Sequence, residues 1–196
     1  MNEAFNAHQG QTLLLLARST LIHELGGDAS RIPPDLEQRL QDPVFDQKRG
    51  TFVTLHMHGN LRGCIGSLVG TEPLRDNVVS NARNAAFQDP RFPPLRAHEL
   101  PKVDIEISVL TPPQPLEYWS PQDLIDKLKP HVHGVIVKHG MAQSTFLPQV
   151  WDQLPDVQSF LEHLCQKAGL AATAWQSGQL QVMTYEVQSF ADKEEA

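Results

Sequence analysis

The chain has 196 residues, 16 Lys and Arg against 23 Asp and Glu for a formal charge of -7, and 40% hydrophobic residues. This balance fits a globular protein with a core and excludes a largely disordered chain, which would carry fewer apolar residues and more net charge. The longest aliphatic run, Leu13 to Ala17, falls far short of the roughly 20 residues that cross a bilayer, so no membrane association is expected.

Thr12 to Leu25 reads as a helix that stops at Gly26-Gly27, with Leu14, Ala17, Leu21, Ile22 and Leu25 on one stripe. Gly26 to Gly50 is rich in breakers and reads as a connection with one short helix around Asp35 to Leu40. Thr51 to Leu68 reads as a β-hairpin, Val53, Leu55 and Met57 alternating with Phe52, Thr54 and His56, and Gly59-Asn60 as its turn. Thr71 and Pro73 open a helix with Leu74, Val78, Ala82, Ala85 and Ala86 on one face. Asp89 to Pro94 is a stiff proline-bounded loop. Lys102 to Leu110 alternates as a strand, with Val103, Ile105, Ile107 and Val109 facing inward and Asp104, Glu106 and Ser108 outward.

Pro112, Pro113 and Pro115 end that strand, and a short helix follows from Pro121 to Leu128 with Ser120 as N-cap. Val132 to Lys138 and Gln143 to Leu147 read as strands joined through His139-Gly140. Pro155 to Ala168 is a helix with Val157, Phe160, Leu161, Leu164 and Cys165 on its apolar face. A short strand is expected over Ala172 to Trp175 and a final one over Leu180 to Val187. Helices and antiparallel strands are interleaved without a βαβ rhythm, so the fold class is α+β, with helices packed on antiparallel sheets.

The charge is unevenly placed. Residues 1–96 hold nine Arg and Lys48 against ten acids, whereas 97–196 hold six Lys, no Arg and thirteen acids. Nucleic-acid binding rests on a basic surface and is not expected from this distribution. Only 61–97 is locally basic, with Arg62, Arg75, Arg83, Arg91 and Arg96. It reads either as a pocket for a small anion or as scattered solvated arginines. Two cysteines cannot make a disulfide framework and read as reduced thiols. Met1 to Gly10 lacks the basic residues of a signal segment. A cytoplasmic protein is expected.

Leu61-Arg62-Gly63-Cys64-Ile65-Gly66 is the most unusual segment, a cysteine flanked by strand glycines that leave little cover. Arg62 on the same face would favour the reactive thiolate. If Gly59-Asn60 are the turn residues, however, Cys64 faces Leu55 and lies among Val53, Leu55 and Met57, with His56 and His58 on the opposite side. That register gives an inert core cysteine, and a bulge at Gly63 would reverse it. His56/His58 and His131/His133 are spaced to place two rings on one strand face, yet neither pair has a third ligand, so no metal or other cofactor is expected. His133 is the better acid–base candidate. Glu106 joins Asp104 on a strand face that either supports proton transfer or is simply the wet side of the sheet.

Several segments together carry a resemblance. Phe52-Val53-Thr54-Leu55, Leu61 to Leu68, Asp89-Pro90-Arg91-Phe92-Pro93-Pro94, Glu106 to Leu110, His133-Gly134-Val135-Ile136, Thr145 to Trp151 and Cys165 to Leu170 come in that order. The chain resembles the AMMECR-one domain family, also called the AmmeMemoRadiSam system protein A family, over about residues 10–190. Ala142-Gln143-Ser144-Thr145 departs from the basic, glycine-containing stretch more usual there. The resemblance implies one domain built of two intimately packed lobes, their boundary near 111–120, with the motifs around a cleft. It places Arg62, Cys64, Asp89, Arg91, Glu106 and His133 in that cleft. Cys64, His133 and Glu106 are the expected catalytic residues, and Arg62, Asp89 and Arg91 the expected substrate-binding ones. A Memo-like protein and a radical SAM enzyme are the implied partners. The two functional expectations are an enzyme or enzyme component acting on a small anionic or modified substrate, and a non-enzymatic adaptor for those partners.

Overall fold

The computed structural model describes residues 4–192. In chain order the elements are α1 (Ala7–Glu24), α2 (Leu36–Arg39), β1 (Thr51–Met57), β2 (Asn60–Ser67), α3 (Leu74–Phe87), β3 (Val103–Leu110), β4 (Gln114–Pro115), α4 (Pro121–Lys127), β5 (Gly134–His139), β6 (Ala142–Phe146), α5 (Val157–Lys167), β7 (Gln181–Tyr185) and β8 (Val187–Ala191). They divide into two compact units, one running to Leu110 and resuming at Gln188, the other spanning Thr111–Val187. The class is α+β, each unit carrying its own four-stranded antiparallel sheet. No helix among the described residues is long and apolar enough to cross a membrane.

In the first unit the strand order is β2-β1-β3-β8. Val53 and Leu55 on β1 pair with Ile107 and Ile105 on β3, and all four are buried. The expected stripe of α3 is buried as well, from Leu74 through Val78 and Ala82 to Ala85 and Ala86. Helix α1 begins at Ala7 rather than Thr12, because Asn6 and Gln9 form a capping box in which each side chain accepts the other's N–H at 2.9 Å. Thr12 lies inside the helix, its hydroxyl donating to the His8 carbonyl at 2.9 Å.

The second unit has strand order β4-β7-β5-β6. Its core centres on Trp151 and Phe160, stacked with centroids 3.6 Å apart, under Leu161, Leu164 and Cys165 of α5. Three expectations change here. Ala172 to Ser177 is a 3₁₀ helix rather than a strand, with Trp175 buried. The turn between β5 and β6 sits one residue later, at Gly140 and Met141. The expected strand over Leu180 to Val187 is cut at Glu186, which exchanges hydrogen bonds with Thr111 (N–H to Thr111 Oγ1 2.9 Å; carbonyl from the Thr111 N–H 2.9 Å). Residues before this clamp pair with β5, and those after it belong to the other sheet. β4 was also missed. It holds Pro115 at a sheet edge, where a missing N–H is tolerated.

Trp151→Ala is expected to destabilise the second unit by about 3–5 kcal/mol, read from urea unfolding, because it removes the stack and leaves a large cavity. Trp151→Phe keeps an aromatic face but not the indole N–H that donates to the His133 carbonyl at 2.7 Å, and is expected to cost less.

Candidate functional site

The β1–β2 hairpin decides where the cysteine points. Its turn residues are His58 and Gly59, with φ of 53° and 74°, the sign pattern of a type I′ turn, instead of Gly59-Asn60. Met57 therefore pairs with Asn60 and His56 with Leu61. Moved alone, the turn would shift the pairing by two residues and leave Cys64 on the core face. The register then slips once more, so that Leu55 pairs with Gly63 and Thr54 with Cys64, leaving Arg62 as the extra residue of a bulge. A single inserted residue turns every later side chain of β2 to the other face. Cys64 thus lies opposite Thr54 rather than Leu55, half-buried, and the Thr54 hydroxyl donates to its sulfur at 3.2 Å.

β2 is an edge strand, and Cys64 turns its peptide groups outward from it. The loop after α3 meets them. Asp89 Oδ2 accepts the Cys64 N–H at 2.9 Å and Arg91 Nη2 at 2.7 Å, while Oδ1 accepts Arg91 Nε at 2.9 Å and the Arg91 N–H at 3.1 Å. Arg91 Nη2 also donates to the Cys64 carbonyl at 3.1 Å. The Asp89 side chain is 2% exposed and that of Arg91 54%. The Arg91 guanidinium, helped by the two backbone N–H groups and opposed by burial, holds the Asp89 carboxyl well below the usual carboxylate range. The same pairing raises the pKa of Arg91. Arg91 Nη1 has no hydrogen-bond partner among the described residues, so this fixed, half-exposed guanidinium keeps an edge for a ligand.

Arg62, expected beside Cys64, is engaged elsewhere. Its Nε and Nη2 each donate to Glu99 at 3.1 Å in a buried bidentate pair, which lowers the Glu99 pKa. His56, expected to point away from the thiol, shares the Cys64–Thr54 face, where its Nε2 lies 3.8 Å from Glu106 Oε2. That nitrogen is buried and has no hydrogen-bond partner among the described residues. Glu106 sits directly across from Thr54 on β3. A groove of about 770 Å³ on this unit is lined by Arg18, Leu100, Asp104 and Asp192 and does not include Cys64.

His133 belongs to the second unit, just before β5. Its Nδ1 accepts the Lys129 N–H at 3.2 Å, and burial, with Lys129 adding to it, lowers its pKa. The ring is therefore neutral at pH 7 with its hydrogen on Nε2, a donor rather than a base. His131 lies in a turn with φ of 62°, and His58 in the hairpin turn, so neither His-x-His pair is displayed on one strand face. Among the described residues no group of three or more His, Cys, Asp or Glu is placed to hold a metal. Cys165 is buried in the second core, and burial pushes its thiol pKa up.

A sequence model of the family described as AMMECR1 matches residues 14–190. The chain belongs to the AMMECR1 family. It is 42% identical over 184 residues to a protein of Methanothermobacter thermautotrophicus, covering 93% of both chains. It is 39% identical over 204 residues to Protein MK0488 of Methanopyrus kandleri, covering 99% of this chain and 93% of the relative. Among solved structures it is similar to that of the uncharacterized protein PH0010 from Pyrococcus horikoshii, with a TM-score of 0.77 and 32% identity over 94% of this chain and 91% of the other.

In this AMMECR1 chain, then, Cys64, Asp89 and Arg91 are joined by hydrogen bonds. Glu106 lies on the same sheet face as Cys64 but two strands away, with Thr54 of β1 between them, and Arg62 is two residues away in sequence but tied to Glu99. Sequence reasoning missed Thr54 and His56 as neighbours of that face. The turn residues carry no signal for it, since moving the turn alone keeps Cys64 on the core face, and a bulge at a non-glycine residue leaves no mark in the composition.

Proposed function

We propose that Cys64 acts as a nucleophile or covalent carrier on a small substrate whose anionic group is held by Arg91. The observation that carries this reading is the bulge at Arg62, which turns the thiol to the polar sheet face, against the Thr54 hydroxyl. A hydroxyl donated to sulfur stabilises a thiolate. His56 and Glu106, on the same face, are the groups placed to take its proton, a role that His133 Nδ1, already accepting a backbone N–H, is poorly suited to fill. Asp89 positions the backbone of Cys64 and the guanidinium of Arg91 together. Arg62, bound to Glu99, holds the bulge rather than the substrate.

The test is thiol labelling of the native protein. Iodoacetamide is expected to modify Cys64 at least about a hundredfold faster than Cys165, whose burial limits reaction to rare opening events. A Cys64 that resists modification until the protein is unfolded removes the nucleophile reading. It would leave the second reading, an adaptor docking a Memo-like or radical SAM partner through the exposed loop of Arg91, Pro93 and Pro94, which is favoured by the rigidity and exposure of that loop.

A further inference from the structure

The surroundings of Cys64 limit what its sulfur can attack. A thiol that adds to a carbonyl builds a negative oxygen, which acyl-transfer sites meet with pre-aimed N–H donors, the nucleophile's own backbone N–H among them. At Cys64 that N–H is taken by Asp89 Oδ2 at 2.9 Å, and the Arg91 N–H by Asp89 Oδ1 at 3.1 Å. The Asp89 carboxylate is nearly excluded from water, so neither amide is free for a substrate unless a buried charge loses its donors. The donors left facing the sulfur are side chains. The Thr54 hydroxyl donates to Sγ at 3.2 Å. Asp89 is the main cause of the raised Arg91 pKa, but the Cys64 sulfur adds to it as a charge and as an acceptor, which sets the guanidinium beside the thiol.

Such a site is poor for carbonyl chemistry and well suited to breaking a bond between two oxygens. In a hydroperoxide the charge develops on the oxygen that leaves as O–O breaks, and a guanidinium edge with a hydroxyl meets it without any amide. Arg91 presents that edge. Its Nη2 is fixed to Asp89 at 2.7 Å and to the Cys64 carbonyl at 3.1 Å, and its Nη1 has no partner among the described residues. A proton acceptor lies on the same face. Cys64, Thr54 and Glu106 form one row across three strands. His56 Nε2, 3.8 Å from Glu106 Oε2, is a buried nitrogen without a hydrogen-bond partner among the described residues.

We propose that Cys64 is a peroxide-reducing thiol whose substrate is a small hydroperoxide, hydrogen peroxide or an organic one, with Arg91 and Thr54 bracketing the O–O bond. This assignment rests on Cys64 being the nucleophile, and it makes the leaving oxygen the anionic group that Arg91 holds. The thiol proton passes to His56 Nε2, directly or through one water. Sγ attacks the terminal oxygen of ROOH, the S–O bond forms as O–O breaks, and the departing RO⁻ takes the proton back. Sulfur gives up two electrons and the peroxide gains them, so Cys–SH and ROOH become Cys–SOH and ROH. Cys165, the other cysteine of the chain, is fully buried in the second core and offers no resolving thiol. Two equivalents of a low-molecular-weight thiol are therefore the reductant, returning Cys64 as a thiol and leaving one disulfide and one water.

The test treats the native full chain with hydrogen peroxide or tert-butyl hydroperoxide, traps sulfenic acid at Cys64 with dimedone, and times it by mass spectrometry against iodoacetamide alkylation. Wild-type Cys64 is expected to oxidise at least about a hundredfold faster than free cysteine, and a small thiol to reverse the oxidation. The faster peroxide names the source. Thr54→Val and Arg91→Lys are expected to lower the ratio of oxidation to alkylation at least about tenfold, because iodide leaves without a donor. Oxidation no faster than free cysteine, in a wild type that alkylates fast, overturns the inference and leaves the nucleophile reading standing, whether or not either variant folds. A Cys64 inert to both reagents removes the two together. An unchanged ratio in both folded variants also overturns the inference, since Thr54 and Arg91 would then not meet the peroxide.

Discussion

Asp89→Asn is expected to lower stability by about 3 kcal/mol, read as a fall in the urea midpoint at constant m. The carboxylate accepts four hydrogen bonds, two from backbone N–H groups and two from Arg91, while nearly excluded from water. An amide of the same shape has one oxygen to offer and must turn its NH₂ toward donors, leaving at least one buried N–H unpaired. The cost lies at the low end for a broken buried pair because Arg91 is half-exposed and is rehydrated. Arg91→Ala is expected to cost at least as much, about 3 kcal/mol, because it leaves the nearly water-excluded Asp89 carboxylate without its counter-charge and with only the two backbone N–H donors. The pH dependence follows from the depressed carboxyl. Its contribution is complete above the ordinary carboxylate value of 3.8 and is lost as pH falls from there through the lower folded-state value. Asp89→Asn should therefore flatten the acid limb of the stability curve below about pH 4 and leave its shape near neutrality unchanged. An acid limb as steep in the variant as in the wild type would mean that other carboxylates govern it.

The fold class and most elements were legible because they rest on periodicity. The alternation of Val103 to Val109 and the stripe of Leu74, Val78, Ala82, Ala85 and Ala86 each report a buried face directly. What the sequence did not reveal was polar and discrete. The Asn6–Gln9 box starts α1 at Ala7, five residues before the expected Thr12. Asn77 and Asn81 look like surface residues of α3 but are buried, bonded to one another and to the start of β1. Glu186 breaks an apparently continuous strand because Thr111, far away in sequence, clamps it.

The site was half legible for the same reason. Residue types at Cys64, Asp89, Arg91 and Glu106 flagged chemistry, and the short loop from Asp89 to Arg91 made a local pair natural. Which face Cys64 occupied depended on a one-residue register, and period-two patterning is indifferent to an inserted residue until the partner strand is known. Arg62 shows the converse. Its charge and adjacency suggested a role at the thiol, yet the bulge gives it to Glu99, a partner 37 residues away.

Gly63→Ala is expected to be more damaging than its single methyl suggests, at roughly 3 kcal/mol or more. A Cβ at Gly63 would lie 2.1 Å from the Ala85 carbonyl oxygen, inside any tolerable contact, so either α3 withdraws or β2 shifts. Withdrawal is opposed by the buried Val78, Ala82, Ala85 and Ala86 and by the Asn77–Asn81 ladder, which tie α3 to the sheet along its length. A shift of β2 would undo the Leu55–Gly63 pairing that follows the bulge, and with it the orientation of Cys64 toward Thr54. The variant should therefore lose both urea stability and selective native labelling at Cys64. Gly59→Ala in the same hairpin is the contrast. There a Cβ meets nothing within 4 Å, and only the φ of +74° is strained, for about 1–2 kcal/mol with labelling unchanged. If Gly63→Ala cost no more than Gly59→Ala, the close approach of α3 would not be what fixes the bulge, and the exposure of the thiol would need another cause.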